Sequence, residues 1–197
     1  MPGQVHQGFF DALNELWPLM WPQIQNRLAA SPGKPVYITG HSKGGAIAPL
    51  AAMLCQAAGL APYVCTFAAA RCGDQTFANG YDAAVTHSVR YEFQDDIVPH
   101  LPPSDAFLAT LKNIPFLAGA LTGLTQGYVS VGTLYFINWQ NQVVSDSPLL
   151  DLNRLTHLAD LLLTLGAGTI INDHSVDPGG GYANAVCPGV WPPAPAP

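Results

Sequence analysis

The chain has 197 residues, 49% hydrophobic and 10% charged, against roughly 25% charged in an average soluble domain. That length suits one domain with a sizeable core, and the composition excludes a disordered segment. A net charge of -6, from 7 basic and 13 acidic residues without a Lys/Arg cluster, gives no electrostatic footprint for nucleic acid or an anionic membrane.

Met1 to His6 shows neither the basic nor the apolar region of a signal peptide, so the chain as given reads as cytoplasmic, or as secreted if a leader was lost. Phe9, Leu13, Leu16, Met20, Ile24 and Leu28 recur every three or four residues and predict an amphipathic helix, with Pro18 and Pro22 as points for a kink. After the turn Ser31-Pro32-Gly33-Lys34-Pro35, the β-branched run Val36-Tyr37-Ile38-Thr39 reads as a buried parallel strand. Gly40-His41-Ser42-Lys43-Gly44-Gly45 follows directly. An Ala/Leu-rich helix is expected from Ala46 to Ala58, stopped by Gly59.

The pattern repeats with a strand at Tyr63-Val64-Cys65-Thr66-Phe67, a helix from Asp74 to Ala84 and a strand at Val89-Arg90-Tyr91-Glu92-Phe93. This alternation predicts an α/β fold with a mostly parallel sheet. Leu101-Pro102-Pro103 breaks the order. Beyond it, an apolar segment from Ala106 to Leu124 leads to a strand at Leu134-Tyr135-Phe136-Ile137 and a hairpin or edge strand past Asn138 to Asn141. Leu149 to Leu165 is helical in pattern, with Leu152, Leu155, Leu158, Leu162 and Leu165 on one side. One domain over 1–187 is expected, followed by a Pro/Ala-rich tail at 188–197. The densest apolar stretch, Ile114 to Leu124, is too short to cross a bilayer. Cys55, Cys65, Cys72 and Cys187 lack metal-ligand spacing and read as buried thiols, with Cys72 and Cys187 the pair to examine for a disulfide.

Gly40-x-Ser42-x-Gly44, lying between a strand and a helix, has the pattern of a nucleophile elbow, in which the serine projects from a strained turn. Gly40 and Gly44 are expected to let the strand and helix backbones approach. A serine nucleophile needs a base, and the base an orienting acid, in the chain order Ser, Asp/Glu, His for this kind of site. Asp95 and Asp96 both follow the strand ending at Phe93, at the carboxyl edge of the sheet. Of the histidines, His6 precedes both partners. Strand alternation points His41 away from Ser42. His87 heads a strand before the candidate acids, His100 follows Asp96 by only four residues, and His157 belongs to a leucine-rich helix. His174, expected in a polar loop after a helix, is the candidate base.

Val5-His6-Gln7-Gly8-Phe9, Gly40-His41-Ser42-Lys43-Gly44-Gly45, Thr66-Phe67 with Arg71-Cys72-Gly73, and Asp96-Ile97-Val98-Pro99-His100-Leu101-Pro102-Pro103 resemble successive blocks of the class three, fungal-type triacylglycerol lipase family. Val131-Gly132-Thr133-Leu134-Tyr135 and Asp173-His174-Ser175 continue the resemblance. It implies an α/β-hydrolase-like fold with helices on both faces of the sheet, shortened at the N-terminus. It also implies Ser42 as nucleophile, Asp96 rather than Asp95 as orienting acid, His174 as general base and the backbone N–H of Lys43 as one oxyanion donor. Asp95 is left as a turn residue. The family's second donor comes from a region preceding the His-x-Gly-Phe block, so it is not identifiable here. Ala69-Ala70 also departs from the Gly and Pro usual before Arg71.

The implied activity is hydrolysis of lipid or acyl-glycerol esters without metal or cofactor, and the expected partner is the ester substrate. The segment Phe107 to Leu121 fits a lid or acyl-pocket wall as well as an ordinary buried helix. A lipase-like fragment of low activity that binds lipid or a protein partner, or associates with itself through exposed apolar surface, is the alternative. Acyl transfer to an alcohol would use the same residues.

Overall fold

A computed structural model describes residues 1–105, 108–109, 127–163, 167–176 and 181–186. The first helix, α1 (Gln7–Ala30), runs through Pro18 and Pro22 as one element and buries Leu13. It leads into β1 (Tyr37–His41), α2 (Lys43–Ala57), β2 (Tyr63–Phe67), α3 (Gln75–Ala84) and β3 (Ser88–Phe93). Beyond a short 3-10 turn (Val98–His100) come β4 (Thr133–Ile137), β5 (Val143–Ser145), α4 (Pro148–Leu163), α5 (Ala167–His174) and α6 (Tyr182–Val186).

Local chemistry sets the boundaries. Helix α2 stops at Gly59, whose φ of +81° suits a residue without a Cβ. Gly59 N–H donates to the Gln56 carbonyl and Leu60 N–H to that of Cys55, each at 3.0 Å, which is the Schellman arrangement. Helix α3 starts where the Asp74 carboxylate accepts the Phe77 N–H at 2.8 Å.

The five strands lie in the order β1-β2-β3-β4-β5. The first four are parallel and β5 runs antiparallel on β4. Helices α1 to α3 build the main core on one face, where Leu13, Leu50, Ala52, Val64, Phe77 and Tyr81 are buried together. Small side chains line that face of α2, including Gly45, Ala46, Ala48, Ala51 and Ala52, so the helix sits close to the sheet. On the other face, Tyr182 of α6 packs with Ala68, Phe93 and Ile137 near the carboxyl ends of the strands. At the opposite end of that face, the Tyr37 ring lies tilted against Tyr63 and Tyr63 stacks on His87, with ring centroids 5.3 and 4.5 Å apart.

Two expectations change in detail. Leu152, placed on the inward stripe of α4, is exposed, whereas Arg154 and Leu158 are buried, because the inward face meets a carboxylate of β3. Cys55, Cys65 and Cys72 are free thiols, so the pairing considered for Cys72 is not made at that residue. Burial pushes the Cys72 thiol up to about 12. The segment weighed as a lid lies outside the described residues except for Leu108 and Ala109, as do Cys187 and the tail 188–197. Among the described residues, no helix is long and apolar enough to cross a membrane.

Candidate active site

The turn from β1 into α2 carries the first site residue. Ser42 has φ 56° and ψ -124°, a left-handed backbone that costs a non-glycine residue about 1–3 kcal/mol and persists only where the surroundings enforce it. Its N–H donates to the Phe67 carbonyl at 3.0 Å, and its carbonyl accepts the Ala46 N–H at 3.1 Å, so β2 and the first turn of α2 both hold the turn.

A Cβ on Gly40 would lie 2.2 Å from the Gly44 carbonyl oxygen, and one on Gly45 would lie 2.9 Å from Ala69. The strand and helix therefore require glycine at Gly40 and Gly45. The space beside Gly44 is open, which corrects the steric role expected of it. Lys43 begins α2, so its backbone N–H is one of those that a helix leaves without an intrahelical acceptor, and it adjoins Ser42.

Asp96 sits just past β3. Its N–H donates to the Phe93 carbonyl at 3.0 Å, and its Oδ1 accepts the Val98 N–H at 2.9 Å. His174 is the last residue of α5, not a loop residue as expected; the polar segment around it forms a helical turn that ends there. His174 Nε2 lies 2.9 Å from Ser42 Oγ, and its Nδ1 lies 3.0 and 3.1 Å from the two oxygens of Asp96. The Asp96 side chain has no exposed surface, while that of His174 keeps 26%. The structure thus brings Ser42, His174 and Asp96 into one hydrogen-bonded series.

Several neighbours have roles that the sequence did not reveal. Tyr182 donates its hydroxyl proton to Asp96 Oδ2 at 2.7 Å and accepts the Phe93 N–H at 2.9 Å. Burial, followed by the Asp96 charge, raises its phenol well above the ordinary value. Gly181 makes this possible: with φ +126°, a Cβ there would fall 2.2 Å from the Ser175 carbonyl oxygen, so only glycine lets α6 fold back against the residue after His174. A glycine preceding an aromatic residue was the available signal.

His41 was expected to point away. Its Nε2 lies 2.9 Å from the His174 carbonyl, and the two rings are 4.8 Å apart. Alternation holds for His41 within β1 but not for Ser42, whose positive φ turns its side chain toward the same histidine. Burial lowers the His41 pKa, and the adjacent His174 opposes its protonation further, against the pull of the His174 carbonyl and Asp96.

Asp95 is in the turn, as expected, but its carboxylate is buried and accepts the Trp139 indole N–H at 2.9 Å. Its backbone N–H donates to Asp173 Oδ2 at 3.0 Å. The residue before Asp96 is thereby tied to the residue before His174, a second strut alongside the bond between Asp96 and His174. Burial and the nearby Asp95 and Asp96 carboxylates push the Asp173 pKa up, against the Asp95 N–H.

Of the remaining histidines, His6 stacks on Phe9 and His87 on Tyr63, His157 stacks on Trp139 with its Nδ1 3.8 Å from Asp95, and His100 Nε2 is 3.2 Å from Arg154.

A parallel sheet with a serine on the first strand-to-helix turn, and its acid and histidine at the carboxyl edge, is the architecture of an α/β-hydrolase. The family model for lipase (class 3) matches residues 1–106, and the chain belongs to that family. Secreted mono- and diacylglycerol lipase 1 of Fusarium solani is 33% identical over 99 residues, covering 50% of this chain and 30% of that protein.

Among solved structures, lipase from Rhizopus microsporus var. chinensis superposes with a TM-score of 0.55 at 31% identity, covering 68% of this chain and 41% of that one. A structure described as a serine protease triad forming the catalytic centre of a triacylglycerol lipase gives a TM-score of 0.54 at 29% identity, covering 70% of this chain and 49% of that one. The chain spans between 25% and 30% of the length of the curated relatives it matches.

Proposed function

We propose that this protein hydrolyses carboxylic esters of lipids or acyl-glycerols through Ser42, His174 and Asp96. The observation that carries the reading is the continuous series from Ser42 Oγ to His174 Nε2 at 2.9 Å and from His174 Nδ1 to Asp96 at 3.0 Å. Family membership and the lipase names of its relatives support the substrate class.

In this mechanism His174 Nε2 takes the Ser42 proton as Oγ attacks the ester carbonyl. The Lys43 N–H donates to the developing oxyanion, favoured by its place at the positive end of α2. His174 then protonates the departing alcohol, leaving an acyl group on Ser42. Water, deprotonated by His174, releases the acid. Asp96 fixes the imidazole tautomer, with Nδ1–H toward its carboxylate, and stabilises the imidazolium formed in each half. Tyr182 and the Val98 N–H hold the Asp96 carboxylate in place. No step calls for a metal or cofactor.

The test is turnover of p-nitrophenyl esters of graded acyl length by wild type and Ser42→Ala. Removing the nucleophile should cost on the order of a millionfold in kcat, leaving no burst of p-nitrophenol. Equal activity in the two proteins would reject the assignment. A lipid-binding fragment of low activity would instead show saturable fatty-acid binding and no labelling of Ser42 by a mechanism-based phosphonate.

A further inference from the structure

The arginines of this charge-poor chain are Arg27, Arg71, Arg90 and Arg154, and all but Arg27 line one cavity of about 290 Å³ on the side of β3 facing α4. That is room for about ten waters at liquid density. Glu92, the only buried carboxylate on the cavity wall among the described residues, accepts from Arg90 Nε at 2.8 Å and from Arg154 Nη2. It does not reach Arg71, whose Nη1 donates to the backbone carbonyls of His100 at 3.2 Å and Pro102 at 3.4 Å.

Arg71 Nε and Arg154 Nε are buried without a hydrogen-bond partner, and the Arg154 side chain is only 5% exposed. Asp146 and Asp151 also line the cavity, and Asp151 lies 3.7 Å from Arg154 with its side chain 59% exposed. Both carboxylates face water, where screening weakens their hold on the inner guanidiniums. Three guanidiniums therefore line a cavity whose one buried carboxylate pairs with two of them, an imbalance that is costly unless a further anion joins them.

We propose that this cavity binds a phosphate-class dianion, either free phosphate or a phosphate monoester, through Arg71, Arg90 and Arg154. Planar guanidiniums suit phosphate oxygens because they donate in pairs, and Ser104 and Ser130 add polar atoms to the wall. The positive environment shows in its neighbours. Arg154 and Arg90 hold Glu92 down at about 2 although burial alone would raise it. Burial, then Arg154, keeps the His100 ring neutral, with its pKa near 3. The site is separate from the Ser42 series and does not depend on the proposed hydrolysis.

The experiment is calorimetric titration of the full chain with inorganic phosphate and with glycerol phosphate, using chloride at matched ionic strength as control. Wild type should bind at least one of the two with a millimolar or tighter Kd, and more weakly as salt rises. Binding of glycerol phosphate alone identifies a monoester as the ligand; binding of both identifies the free anion as sufficient. Arg71→Gln should weaken binding about tenfold or more. Arg90→Gln, at a guanidinium whose side chain is 16% exposed, should do the same if the Arg71 variant fails to fold. Ser42→Ala should bind like wild type. Absence of binding beyond chloride in wild type, or undiminished affinity in a folded arginine variant, overturns the proposal.

Discussion

Two buried carboxylates, Glu92 near the end of β3 and Asp96 four residues later, are 3% and 2% exposed, yet their surroundings prepare them for different work. Asp96 is held by a backbone N–H, the Tyr182 hydroxyl and the His174 ring, none of which is a permanent cation. Its charge remains available to a proton arriving at His174. Glu92 is held by two guanidiniums, so its charge is already balanced and it anchors structure. Burial alone does not make an acid functional; the charge state of its partners decides.

The comparison can be broken at either end. Asp96→Asn keeps the shape but no longer fixes the His174 tautomer, and kcat should fall by about ten-thousandfold with thermal unfolding little changed. A drop below tenfold would remove Asp96 from the role given to it. Glu92→Gln should do the reverse, leaving activity at folding temperatures intact. It should cost about 3–5 kcal/mol, because Arg90 and Arg154 would face a neutral amide. Urea denaturation reads this, and an unchanged midpoint would show that the guanidiniums are balanced elsewhere.

The smallest effect sharpens the contrast through pH. His100 is lowered from 6.5 to about 3 and Glu92 from 4.5 to about 2, so at acid pH the unfolded chain binds protons that the folded one refuses. The stability tied to His100 is present above pH 6.5 and lost as pH falls toward 3; that tied to Glu92 is present above 4.5 and lost toward 2. Between pH 6.5 and 4.5, His100→Gln should therefore flatten the acid loss of the urea midpoint; the lowered His41 adds to that loss, whereas the raised Asp151 and Asp173 oppose it. An identical slope in wild type and variant would sink this account of His100.

Much of the fold was legible because its signals are local. The strand at Tyr63–Phe67 and the Gly59 stop depend on residues within one turn of themselves. Ser42 was legible for the same reason, as a serine between glycines at a strand-to-helix boundary. That Gly45 and not Gly44 meets a neighbouring backbone was not, because it depends on Ala69, which the fold brings beside Gly45. Asp95 looked like a solvated turn because neither Trp139 nor Asp173 is near it in the chain. Arg154 was hidden in a leucine pattern whose inward face is decided by Glu92, which lies 62 residues away.

By itself the sequence determined the alternating α/β order, the serine turn and the chain order of serine, acid and histidine, since periodicity and turn chemistry act over a few residues. Tertiary structure alone decided that Tyr182 bonds Asp96, that the Asp95 N–H meets Asp173, that His41 meets the His174 carbonyl and that three arginines line one cavity. Those relations join residues far apart in the chain, and only the packed sheet and the return of α6 at Gly181 bring them within hydrogen-bond reach.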